Sequence, residues 1–286
     1  MVLFFDLLRS VIYGVIEGIT EWLPISSTGH MILAEQVLKF SFSAEFMEMF
    51  RVVIQLGAIL AVVVMYFKKL WPFCVDNGRD SGLAKHVRWP VMRLWFKIIV
   101  ACLPAAVLGL ALDDWIDAHF YNSVVVAVML IVYGIAFILI ERRPRVPTTT
   151  KLSRITYRQA LLVGAWQVLA LIPGTSRSGS TIIGGLLCGM SRACASQFTF
   201  FLAIPVMAGA SGLKLVKFLV GGGVFTVAEV GALLVGCIVA FVVSIMAIRF
   251  LMDYVKKHTF TIFGWYRIAL GILVLGIWAL QSFVLA

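Results

Sequence analysis

Charge is scarce in this sequence. Asp, Glu, Lys and Arg make up 13% of its 286 residues, about half the share of an average soluble domain, which excludes an ordinary water-facing globular surface. Acidic residues are the scarcer kind, 14 against 24 Lys and Arg, for a formal net charge of +10. A basic balance of that size would also suit nucleic acid. Most of the basic residues, however, stand in polar stretches between apolar runs, where Lys and Arg fix membrane orientation, and nucleic-acid binding is set aside on that ground. The five cysteines, Cys74, Cys102, Cys188, Cys194 and Cys237, form an odd, scattered set with no CxxC pair or Cys/His cluster, so neither a disulfide framework nor a zinc site is indicated. The N-terminus lacks the basic region and small-residue cleavage site of a signal peptide. MVLFFDLLRSVIYGVIEGITEW carries acidic residues where a signal peptide is uniformly apolar, so the segment is expected to stay with the chain.

Apolar residues are what the chain has instead: 62% of the total, for a mean hydropathy of +1.01. In lipid the backbone must satisfy its own hydrogen bonds through helices or a closed barrel, and long apolar runs choose helices. Stretches long enough to span a bilayer, about 20 residues each, lie near 50–68, 94–112, 122–140, 197–217, 227–250 and 262–284. Two further segments, 1–40 and 157–192, are apolar at both ends and interrupted by Pro, Gly, Ser and charge, as WLPISSTGH and IPGTSRSGS. Irregular backbone at membrane depth is tolerated only where protein or a wet cavity surrounds it, so each interruption marks a site. The expected architecture is an all-α polytopic membrane protein. It has about six transmembrane helices plus two re-entrant helical hairpins, within one membrane domain over 1–286.

The two interrupted segments align at an offset of 150 residues. Gly14 matches Gly164, Glu17 matches Gln167, Ser26 matches Ser176 and Gly29 matches Gly179, with Pro24 and Pro173 one position out of register. Each is followed by three spans. A re-entrant hairpin adds no crossing and three is odd, so the second unit (about 157–286) would be inverted relative to the first (about 1–140), with the broken tips meeting near the midplane. The basic loops 68–97 and 141–158 are expected on the cytoplasmic side, while the intervening turn carries Asp113, Asp114 and Asp117 without Lys or Arg. Lys256 and Lys257 agree with this alternation; Lys214 and Lys217, expected outside, do not.

Glu17 and Glu21 are four apart, which puts both carboxylates on one helix face about a turn apart. Like charges there repel unless a cation lies between them or one is protonated, and two hard oxygen ligands suit Mg²⁺ or Ca²⁺. The plainer alternative is a shared proton. After them, Pro24 breaks the helix and Ser26, Ser27 and Thr28 lead to Gly29 and His30. A serine before a helix is most often only an N-cap, but a helix N-terminus with several hydroxyls is also an anion site, and His30 beside it is placed to relay a proton. In the second segment Gly174, Thr175, Ser176, Ser178 and Thr181 surround Arg177, a guanidinium whose fork matches phosphate oxygens. The alternative there is a structural carboxylate paired with Arg177. The segment is no Walker motif, since it lacks the Gly-Lys-Ser/Thr ending and a preceding strand. Together the two segments imply a phosphate or diphosphate substrate reached from the membrane.

The segments EGITEWLPISSTGH at 17–30, VVIQLGAILAVVV at 52–64 and LIPGTSRSGSTI at 171–182 resemble the signature segments of bacterial undecaprenyl-pyrophosphate phosphatases of the bacitracin-resistance type. The similarity runs along nearly the whole chain. It implies hydrolysis of undecaprenyl diphosphate to undecaprenyl phosphate and inorganic phosphate, which recycles the lipid carrier for peptidoglycan synthesis. It also implies a divalent metal, Mg²⁺ or Ca²⁺, on Glu17 and Glu21, and a multi-pass protein of the bacterial cytoplasmic membrane whose site faces the periplasmic or outer side; a homodimer is compatible with it. Glu17, Glu21, Ser27, His30 and Arg177 match the family's functional positions, with Ser26, Thr28, Gly174, Thr175, Ser176, Ser178 and Thr181 as phosphate-binding support. Two departures are Arg51, where an acidic residue is expected, and Gln197, where Glu is common. The expected mechanism has Ser27 attacking the terminal phosphorus while His30 moves the proton and Arg177 holds the diphosphate. Water as nucleophile is the competing version. The rival class is a carrier or flippase for undecaprenyl phosphate, because inverted repeats with broken helices are typical of transporters.

Overall fold

The computed structural model describes residues 2–75, 78, 82–143 and 146–284. In chain order its α-helices are α1 (Val2–Thr20), α2 (Ser27–Val37), α3 (Ala44–Val53), α4 (Gln55–Met65), α5 (Phe67–Leu70), α6 (Trp89–Phe120), α7 (Ser123–Glu141), α8 (Tyr157–Val168), α9 (Arg177–Leu187), α10 (Arg192–Val220), α11 (Val227–Lys257) and α12 (Thr261–Val284). Among the described residues six stretches are long and apolar enough to cross a membrane: Ala44–Met65, Trp89–Leu112, Ser123–Glu141, Arg192–Val220, Val227–Lys257 and Thr261–Ser282. The protein is an all-α polytopic membrane protein, as the apolar runs predict. The first span starts earlier than hydropathy alone suggests, because the Ser43 side chain caps α3 by accepting from Phe46 N. It is also two helices, interrupted at Ile54. Of the loop charges used for orientation, Asp76, Arg79, Asp80 and Arg145 lie outside the described residues, as do the side chains of Asp113, Asp114 and Asp117.

Both interrupted segments fold as helix, break, helix. Pro24 falls between α1 and α2, and Pro173-Gly174 between α8 and α9. The cap residues Ser26 and Ser176 have φ of 72° and 71°, the two positive-φ non-glycine residues among those described. Each accepts a hydrogen bond from the amide three residues on, Gly29 N at 3.5 Å and Gly179 N at 3.1 Å. A left-handed serine costs of order 1–3 kcal/mol and persists only where its surroundings over-determine it. Gly174 (φ 88°) must be glycine for a second reason: a Cβ there would lie 2.5 Å from Val126 O on α7.

Small residues let the long helices approach closely, as is usual between membrane helices. α7 and α12 lie along each other through reciprocal glycines, a Cβ on Gly134 or Gly264 falling 2.7 Å from the other's carbonyl oxygen. α1 packs along α11 through Gly14, and α8 along α6 through Gly164, the matched glycines of the two segments. Two contacts gather the basic loops at one end of the bundle. Lys97 Nζ sits over the Tyr157 ring, and Arg192 Nη2 reaches Glu141 Oε2 at 2.5 Å.

The centre of the molecule is pinned by Arg267 of α12, which is fully buried. Its Nη2 donates to Gly174 O and Thr175 O, both at 2.9 Å, and to Met129 O at 3.4 Å. Nη1 donates to Pro24 O at 3.3 Å and Nε to Leu130 O at 3.4 Å. The guanidinium also lies over the Tyr133 ring, 5.5 Å from its centroid. One side chain thus ties both breaks to α7. Each buried carbonyl left without a donor costs about 1–3 kcal/mol. Arg267→Met is therefore expected to lower the thermal midpoint in detergent by roughly 10 °C, and Arg267→Lys by less, since an ammonium cannot span the same carbonyls. A wild-type midpoint for Arg267→Met would show that the clamp carries no stability.

Candidate active site

The break after α1 and the start of α9 meet through an ion pair. Arg177 Nη2 and Nε donate to Glu21 Oε1 at 3.0 and 3.2 Å, and Nη1 donates to Thr199 O of α10 at 3.0 Å. The other carboxylate oxygen, Glu21 Oε2, accepts from Ser27 Oγ at 3.1 Å. Glu21 and Arg177 are 8% and 12% exposed, and a pair so shielded is lost only at considerable cost. Trp22 backs it: Arg177 lies 6.0 Å from the Trp22 ring centroid, and that ring packs edge-on against Phe200.

These groups open on a cavity of about 750 Å³. Its lining includes the polar residues Glu21, Ser27, Thr28, Gln167, Ser176 and Arg177 and the apolar or weakly polar Cys102, Ala105, Leu110, Leu171, Val206 and Leu213. Ser27 and Thr28 begin α2, and Ser176 and Arg177 begin α9, so two helix N-termini, with their free amides and positive dipole ends, converge on one space. A second, more polar recess of about 490 Å³ holds Glu17, Glu48, Arg51, Tyr121 and Lys214, and shares Ser27, Thr28 and Gln55 with the first. Arg51 there pairs with Glu35, and Lys214 Nζ with Glu48 Oε1 at 2.6 Å. The basic residue in a position expected to be acidic thus has a carboxylate of its own.

The predicted site residues separate into groups. Glu21, Ser27, Thr28, Gly174, Ser176 and Arg177 line the larger cavity, and Glu17 lines the adjoining recess with one carboxylate oxygen, Oε1, buried and unpartnered. Ser26, Ser178 and Thr181 are buried and their hydroxyls bind within the protein: Ser26 Oγ accepts from Gly29 N, Ser178 Oγ donates to Leu23 O and Thr181 Oγ1 to Arg177 O. Thr175 is buried too, its carbonyl accepting from Arg267 and its hydroxyl without a partner among the described residues. Arg177, expected to spend its fork on phosphate, already has three of its five N–H groups on Glu21 and Thr199.

His30 is turned away from Ser27. Its Nδ1 lies 2.7 Å from Ser26 O and its Nε2 2.7 Å from Tyr266 Oη, with the two rings stacked at 8°. Ser26 O can only accept, so Nδ1 carries the proton and Nε2 accepts from the tyrosine. Sequence reasoning passed over Tyr266 and Arg267, adjacent residues inside an apolar span. A charged residue inside run 262–284 is the signal available, since such residues are costly within a span. Gln167 was noticed only as the mate of Glu17.

Among the described residues no three His, Cys, Asp or Glu side chains converge; Glu21 lines the cavity and Glu17 the adjoining recess, and the two Glu21 oxygens already accept from Arg177 and Ser27. The unpartnered Glu17 oxygen and the hydroxyl-rich surroundings fit a hard cation whose other ligands are phosphate oxygens and water.

Residues 10–273 match the family described as Bacitracin resistance protein BacA. An undecaprenyl-diphosphatase of Enterococcus faecalis is 58% identical over 96% of this chain and 99% of its own length. Proteins of the same name from Lactococcus lactis subsp. lactis and Desulfitobacterium hafniense are each 57% identical over 94% of this chain, and over 96% and 95% of theirs. With the match covering nearly the whole chain, including both breaks, this protein belongs to the bacitracin resistance protein BacA family.

Proposed function

We propose that this chain hydrolyses undecaprenyl diphosphate to undecaprenyl phosphate and inorganic phosphate, recycling the lipid carrier for peptidoglycan synthesis and conferring bacitracin resistance. The observation that carries the reading is the convergence of two helix N-termini, with Ser27, Glu21 and Arg177, on one mainly apolar cavity. The amides and the two remaining Arg177 N–H groups receive the diphosphate, and the apolar walls take the start of the prenyl chain. The groups named all come from one chain.

In this reaction Ser27 Oγ, aligned by its bond to Glu21 Oε2, attacks the terminal phosphorus and its proton passes to the carboxylate. The bond from that phosphorus to the bridging oxygen breaks and undecaprenyl phosphate leaves. Water then cleaves the phosphoserine, releasing inorganic phosphate and restoring Ser27. Arg177 and the α9 amides hold the charge that builds on the phosphoryl oxygens. His30, held by Ser26 O through Nδ1 and by Tyr266 through Nε2, fixes the start of α2 on which Ser27 and Thr28 stand. Glu17 and Glu21 are the residues to hold a divalent cation, Mg²⁺ or Ca²⁺, which when bound supplies charge neutralisation to the diphosphate.

The two interrupted segments are read as re-entrant hairpins of an inverted repeat. The matched left-handed serines and the parallel pairings of α1 with α11 and α8 with α6 support this. The cavity is lined by α6 from Cys102 to Leu110 and by α10 from Pro205 to Val216, from the middle of each helix toward its C-terminus, while the N-termini of both helices lie at the end carrying the basic loops. With those loops cytoplasmic, the site of this bacterial inner-membrane protein faces outward.

The purified protein in detergent is expected to release phosphate from undecaprenyl diphosphate and to lose that activity on treatment with EDTA, with recovery on adding Mg²⁺ or Ca²⁺; a carrier would release none. Ser27→Ala should lower turnover by at least about 10³-fold, and acid-quenched protein should carry phosphoserine at position 27. Substantial turnover by Ser27→Ala would instead make water the nucleophile. Removing the hydroxyl that holds His30, as Tyr266→Phe, should cost roughly 2- to 10-fold in kcat/KM. An unchanged value would leave Tyr266 a packing residue.

A further inference from the structure

Gln167 is the polar group of the cavity whose chemistry is not accounted for. It stands near the C-terminal end of α8, 2% exposed, and lines the same space as Glu21, Ser27 and Arg177. Among the described residues neither Nε2 nor Oε1 of its amide has a hydrogen-bond partner, and both atoms are buried. A buried primary amide with two donors and an acceptor unsatisfied is among the costlier residues a protein can hold, and an apolar side chain of the same size would fill the place without that cost. Retaining an amide is explained when a polar group of the occupant reaches it. Its counterpart in the first segment, Glu17, is likewise buried with an unpartnered oxygen, but faces the polar recess. A carboxylate at 167 would repel a diphosphate, whereas an amide donates to it.

Its position says which phosphate is met. Along the chain Gln167 leads into Ala170 and Leu171, which line the same cavity with apolar groups, while Ser27, the group that reaches the terminal phosphorus, begins α2 and bonds Glu21. We propose that the Gln167 amide binds the lipid-linked phosphate of the prenyl diphosphate, the one that stays with the lipid after cleavage, by donating Nε2–H to its oxygen. This rests on the cavity being the substrate site. The contact is present with substrate and with the lipid monophosphate product alike, so it sets affinity for both.

The experiment measures binding of farnesyl methylenediphosphonate and of farnesyl phosphate to the purified full chain in detergent, for the wild type, Gln167→Met and Arg177→Ala, along with the thermal midpoint of each without these compounds. Gln167→Met should weaken both compounds by about five- to tenfold and leave the midpoint unchanged or higher, because it removes an unsatisfied buried amide. Weakening of the diphosphonate alone would overturn the assignment to the lipid-linked phosphate. Wild-type binding by Gln167→Met, or weakening with a fall in midpoint, would make Gln167 a structural residue. If Arg177→Ala weakens binding while Gln167→Met does not, the inference on Gln167 fails and the cavity stands as the site; if neither weakens it, the cavity reading fails as well.

Discussion

Breaking a helix inside an apolar molecule strands backbone carbonyls that lipid cannot satisfy, and Arg267 meets that demand for both breaks at once. Its donors reach Pro24 in one interruption, Gly174 and Thr175 in the other, and Met129 and Leu130 on the helix between them. The approach requires room on the facing helix: a Cβ on Gly179 would fall 3.1 Å from Arg267 Nη1. A guanidinium suits this task because its planar fork offers five N–H groups in fixed directions and keeps its charge when buried.

With the breaks held together, α2 and α9 start side by side and their N-termini face one space. The left-handed cap serines then turn the chain so that Ser27 and Arg177, each the residue after a cap, face the cavity. Glu21 links them, accepting from Arg177 on one oxygen and from Ser27 on the other. The buried Arg177 charge is thereby balanced by Glu21 within the site, an arrangement of the kind that suits the binding of an anion.

Much of this was legible in the linear sequence. The six spans follow from apolar run length, because a bilayer sets a minimum length that few other environments impose. The two interruptions were visible because Pro, Gly, Ser and charge inside such runs are costly without a purpose, and Glu21, Ser27 and Arg177 were singled out there. The partners those residues have in the fold were not legible. Arg177 read as a phosphate clamp or as half of a structural ion pair, and its partner is Glu21, 156 positions away. Nor could sequence separate Ser26 and Thr181, whose groups bind inside the protein, from Thr28 and Ser176, which line the cavity, since all are small hydroxyl residues next to the same glycines.

By itself the sequence determined the class of solvent, the number of crossings and the two places where chemistry is concentrated, because hydropathy and helix-breaking residues act locally along the chain. Tertiary structure decided which groups meet: that His30 turns to Tyr266, that Gln167 lines the cavity and has a buried amide with no partner among the described residues, and that Arg267 holds both breaks. The physical reason is that hydrogen bonds and ion pairs depend on distances of about 3 Å between residues separated by 92 to 243 positions, and local propensity carries no information about those distances.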